Sequence, residues 1–142
     1  MKLTRVSETY FRPTSLQHHY DKHVSKDIYQ YLVDETDELF DPISKDEYNN
    51  EGDRLSKTPV YTSDYNSDYD VIGFVGLNNF GEENIYKFRK SQRDLVIYKA
   101  DKDAAYTITY FKAEGDGKQR YERLKRKHYL REITPKDDYY NV

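Results

Sequence analysis

At 142 residues, with no cysteine and a formal charge of −3, the chain is one domain's worth of sequence and excludes disulfides, thiol nucleophiles and thiolate-bound metal. No apolar run approaches the length of a membrane span and the N-terminal MKLTRVSETY has no signal-peptide core, so the expectation is a cytoplasmic protein with no membrane partner. Hydrophobic residues are only 36% of the chain, but 16 tyrosines allow a thin core of rings whose hydroxyls keep polar partners. Charge is unevenly spread: residues 1–80 carry 8 Lys/Arg against 15 Asp/Glu, and residues 81–142 carry 15 against 11. The asymmetry permits nucleic-acid binding by the second half without requiring it.

In chain order, residues 1–13 are polar, end at Pro13, and read as a flexible arm. From Ser15, LQHHYDKHVSKDIYQYLVDETDELF is helix-compatible, with no Gly or Pro before Pro42. Leu16, His19, Tyr20 and His23 fall on one stripe, and Lys22 lies beside them. Ser44-Lys45-Asp46-Glu47 has capping-box spacing, so a short helix is expected from there through Tyr48 to Leu55, weakened by Gly52. Thr58 to Asp70 is rich in Ser, Asp and Asn and reads as a loop, with Val60-Tyr61 as the one strand-like spot.

Val71–Val75 and Ile85–Arg89 are short strand-like runs separated by a turn at Asn78, Asn79 and Gly81. Leu95–Tyr98 and Ala105–Lys112 follow as a hairpin around the polar turn 100–104. Strict alternation would put Thr107, Thr109 and Phe111 on one face of the last strand, and Tyr106, Ile108, Tyr110 and Lys112 on the other. After Glu114-Gly115-Asp116-Gly117, residues 118–131 read as a basic helix with seven Lys/Arg and one acid, packed through Tyr121, Leu124 and His128. Residues 133–142 are a polar tail. The expected fold is therefore α+β: N-terminal helices on a four-stranded antiparallel sheet, a basic C-terminal helix, and one domain over 14–132.

Three constellations carry chemistry. His19-x-x-Lys22-His23 puts two imidazoles and an ammonium on one helix face. The lysine opposes a bound dication, so the pair suits an anion better than a metal. Arg89-Lys90-Ser91, at a strand end, and Thr109-Tyr110-Phe111-Lys112 could together cradle a phosphate. The basic helix could follow a phosphate backbone, with Tyr121 or Tyr129 for stacking. Taken singly, each is read more plainly as a solvated surface.

Their order is more specific than any member. His19, Lys22 and His23, then Ser44, Glu47 and Tyr48, then Arg89, Lys90 and Ser91, then Thr109, Tyr110, Phe111 and Lys112 resemble the barnase/EndoU/colicin/RelE-like nuclease superfamily, in its small phage and polymorphic-toxin branches. The resemblance spans roughly residues 16–113. It implies a metal-independent ribonuclease without cofactor, in which the RNA 2′-hydroxyl attacks the adjacent phosphate and leaves a 2′,3′-cyclic phosphate. His19 or His23 would be base or acid, Lys22 and Arg89 would stabilise charge, and Ser91 and Thr109 would orient the phosphate. Lys90, Lys112, Arg123 and Arg126 would hold the RNA, and a protein antitoxin or host protein is a further implied partner. The alternatives are a non-catalytic mobile-element protein that docks its acidic, tyrosine-rich half on a host or defence protein, and a nucleic-acid-binding module that does not cleave. Convergence of His19, Lys22, Arg89 and Thr109 in one cleft would favour the nuclease, and their scattering over separate faces would favour the binding protein.

Overall fold

The computed structural model describes residues 9–10, 13–25, 37–38, 40–41, 43–100, 105–134 and 137. Its centre is the expected antiparallel meander: β3 (Val71–Leu77), β4 (Glu83–Arg89), β5 (Asp94–Ala100) and β6 (Ala105–Ala113). Register follows the apolar rows. Ile72 lies opposite Phe88, Phe88 opposite Leu95, and Leu95 opposite Phe111. These four residues share one face, while Val75, Ile85, Val96, Tyr98 and Tyr110 share the other. Of the expected hairpin loop, 100–104, Ala100 is the last residue of β5, and residues 101–104 lie outside the described residues.

Both sheet faces are covered, which is why β3 and β4 are buried along nearly their whole length. Helix α2 (Lys45–Lys57) covers one face through Tyr48 and Leu55. Helix α3 (Lys118–His128) covers the other through Tyr121, with Leu124 packed beside it. Ser44 caps α2, its hydroxyl accepting from the Glu47 N–H at 3.1 Å, as its spacing suggests. Tyrosine supplies much of the core. Tyr48, Tyr110 and Tyr121 are fully buried, and their hydroxyls donate to the Tyr110 carbonyl, to Asp94 and to the Ser63 carbonyl. Burying such a ring contributes about 2 kcal/mol only because each hydroxyl keeps a partner.

Gly52 does not end α2. A Cβ there would lie 3.2 Å from Cγ of Tyr110, so this glycine lets helix and sheet approach closely. At the far end of α2, the buried Lys87 donates to the Ser56 carbonyl at 2.6 Å and the Thr58 carbonyl at 2.8 Å, placing a cation on the helix C-terminus.

Several local readings change. The N-terminal helix α1 starts at Pro13, ends at Tyr20 and continues as a π-helical turn, Asp21–Ser25. Asp37–Glu38, expected to be helical, form strand β2 against β6, and Thr9–Tyr10, expected in the arm, form strand β1 in parallel with β6. The basic helix stops at His128, and Tyr129–Arg131 become strand β7 on the free edge of β3. The four expected strands thus sit inside the order β1-β6-β5-β4-β3-β7. Finally, Thr107 pairs with Tyr98 but Thr109 with Ile97, leaving Ile108 as a bulge. Thr107 is therefore on the opposite face from Thr109 and Phe111, which strict alternation did not anticipate. Val60-Tyr61 belongs to a loop, and no described helix is long and apolar enough to cross a membrane.

Candidate active site

The middle of β6, between the pairings with β1 and β2, is packed by α1 and the π-turn. Leu16 and Tyr20 turn towards the α2 side, where the Tyr20 hydroxyl donates to the Ile43 carbonyl at 2.6 Å. This anchor leaves His19 and His23 facing β6. Their rings stack nearly parallel, 5.8 Å apart and 4° from coplanar. The wide π-turn holds His23, which is 1% exposed, against Phe111.

One hydroxyl meets both rings. Thr109 Oγ1 lies 3.3 Å from His19 Nδ1 and 3.4 Å from His23 Nε2, although the partners are 90 and 86 residues apart in sequence. With one proton to donate and lone pairs to accept, the hydroxyl can serve both rings, the tautomer of each deciding the direction. His23 Nδ1 is buried with no hydrogen-bond partner among the described residues.

The site is electropositive. Burial, followed by His18 and Lys22, lowers the His19 pKa to about 4. Burial, followed by His19, Lys22, Arg120 and His18, lowers that of His23 to about 2. Both rings are therefore neutral at pH 7, and among the described residues the charges that act most on His23 are the cations Lys22 and Arg120. Arg120, on α3, lies 4.8 Å over the Phe111 ring that contacts His23. It was absent from the sequence-derived set, and its only sequence signal was a place in a basic helix.

The remaining predicted residues are elsewhere. Arg89 is on the α2 face, bound through Nε to Asp94 Oδ1 at 2.9 Å and through its terminal nitrogen to Oδ2 at 2.5 Å, with Glu51 3.6 Å away. Asp94, itself 1% exposed, also accepts from Tyr110 at 2.6 Å and holds the Arg89 pKa further up. Lys112 lies opposite Asp94 in the register, beside the same small cavity of about 190 Å³. Ser91, in the β4–β5 turn, donates from its hydroxyl and its N–H to Asp70. Lys90 donates to the Ser67 and Tyr65 carbonyls, tying the same turn to the 63–70 loop. Arg123 and Arg126 are exposed on α3. Thus His19, His23 and Thr109 converge, with Lys22 and Arg120 as neighbouring charges. Arg89, Lys90, Ser91 and Lys112 do not join them.

Among the described residues no group of three or more His, Cys, Asp or Glu side chains is arranged to hold a metal. Comparison with models of protein families, with curated proteins and with solved structures gives no match to this chain.

Proposed function

We propose that the chain is a metal-independent endoribonuclease of the barnase/EndoU/colicin/RelE-like kind, working at the His19–Thr109–His23 cluster. The observation that carries this reading is that Thr109 hydroxyl, placed between two imidazoles from an element some 90 residues away. These residues came together from motifs whose order alone suggested a nuclease.

His19 is the base. It is neutral at pH 7 and can take the proton of a 2′-hydroxyl. A pKa near 4 makes it a weak base in the free protein, and the negative charge of a bound phosphodiester raises it towards a useful range. Once protonated it is the acid that returns the proton to the leaving 5′-oxygen. Thr109 positions His19, and His23 positions Thr109. Lys22 and Arg120 balance the charge that develops on the phosphate, Arg120 standing where the resemblance put Arg89. DNA lacks the attacking hydroxyl and is not cut.

The test is incubation of the purified protein with RNA and with matching DNA in excess chelator. RNA cleavage to 2′,3′-cyclic phosphate ends is expected, with DNA intact. Intact RNA at high enzyme concentration would reject the reading.

The binding-protein alternative has one observation in its favour. Exposed Tyr61 and Tyr69 contact each other, ring centroids 5.0 Å apart, in an Asp-rich loop suited to a basic protein partner. Under that reading the His cluster is structural, and its replacement lowers stability alone.

A further inference from the structure

We propose that the cavity at the β6–α3 corner binds one nucleotide flanking the scissile phosphate, its phosphate held by Lys118 and Arg126 of α3. This rests on the ribonuclease reading, and it assigns the substrate path rather than the chemistry. The cavity measures about 660 Å³, which lies within the range of small-molecule sites and suits a nucleotide better than a lone phosphate. Lys118, Glu122 and Arg126 follow one another at four-residue spacing, so one stripe of α3 forms its wall. That stripe is distinct from the one carrying Tyr121 and Leu124 into the core.

Arg120 connects the two places. It lines the cavity, and its guanidinium lies over Phe111, next to His23. A strand whose scissile phosphate sits at His19 and Arg120 would therefore place its neighbouring nucleotide between Arg120 and Arg126. Glu114, Gln119 and Glu122 supply acceptors for base and ribose donors in the same wall. Phosphates of single-stranded RNA and DNA are equivalent here, so binding does not distinguish them and cleavage does.

The probe is a fluorescein-labelled, 2′-fluoro-substituted oligoribonucleotide of mixed sequence, which lacks the attacking hydroxyl. Its affinity is measured by anisotropy at several salt concentrations. Each phosphate contact on a single strand contributes about 0.7 to the slope of log affinity against log salt. Lys118→Ala and Arg126→Ala should each weaken binding and flatten that slope, and the two together should flatten it by about 0.7, whereas Lys57→Ala, on α2, should change neither. Slopes unaltered in both α3 variants, or no binding of the probe by the wild type, would overturn the proposal. Cleavage of ordinary RNA separates the two readings. If cleavage persists while the slopes are unaltered, only the subsite is wrong. If the probe binds as proposed but RNA is not cut, the ribonuclease reading fails and the cavity is a nucleotide-binding site without a part in cleavage.

Discussion

Thr109 has one hydroxyl proton and two imidazole neighbours, so its substitution separates two effects. Thr109→Val keeps shape but leaves His23 Nε2, in a side chain 1% exposed, without its partner. An unsatisfied buried polar group of this kind costs about 1–3 kcal/mol, so the variant should unfold at lower denaturant, while Thr109→Ser should lie close to wild type. Equal midpoints for all three would show that the contact contributes nothing. His23 also makes stability depend on pH. Its folded pKa, about 2, lies below the ordinary 6.5, so below that value the unfolded chain binds a proton the folded chain refuses. Stability is therefore complete above pH 6.5 and is lost as pH falls towards the folded value, at about 1.4 kcal/mol per pH unit for one such group. Urea unfolding at pH 7.5, 6 and 5 should show His23→Gln losing less stability than wild type over this interval. Parallel losses would refute the buried neutral imidazole.

At the scale of elements, α2 shows what sequence carries and what it does not. Ser44 as cap was legible because a cap is a local device, made by residues three apart. Gly52 reads locally only as a weak point, because its reason is Tyr110, 58 positions along the chain. Tyr110 is held by its hydroxyl on Asp94 and by its carbonyl, which accepts from Tyr48, so its ring cannot easily give way. Gly52→Ala gains about 1 kcal/mol of helix propensity but incurs overpacking of about 1–3 kcal/mol. The net expectation is a lower melting temperature, and a raised one would show that the sheet can yield. The same distinction explains the strands. The runs of β3 to β6 announce themselves through apolar and β-branched composition and bounding turns. β1, β2 and β7, two or three residues each, exist only because β6 and β3 offer open edges, and no local composition marks them. The bulge at Ile108 was likewise invisible, and it separates Thr107 from Thr109.

Across the whole molecule, the sheet decides which motifs can cooperate. Thr109 and Phe111 face α3, and the intervening Tyr110 faces α2, so Arg89, bound to Asp94 beneath Tyr110, is on the wrong side to assist His19. An arginine at a strand end reads alike in sequence whether it awaits a phosphate or pairs with a buried carboxylate; only the register, Arg89 opposite Asp94, distinguishes them. Arg120 escaped notice for the converse reason, since a basic helix reads as solvated until its packing places one guanidinium over Phe111. Removing Arg89 alone should leave a buried charge and cost about 3–5 kcal/mol. The double change Arg89→Met/Asp94→Asn avoids that penalty and tests catalysis separately.

The most direct measurement is kcat/KM for RNA cleavage per folded molecule, in chelator, for wild type, Thr109→Val, His19→Gln and the Arg89→Met/Asp94→Asn variant. His19→Gln should lose about 10²–10⁴-fold, the usual contribution of a general base. Thr109→Val should lose at least tenfold, and the Arg89/Asp94 variant should stay within a few-fold of wild type. Full activity in His19→Gln and Thr109→Val, with activity abolished only when Arg89 is replaced, would contradict the assignment of the site to the β6 edge.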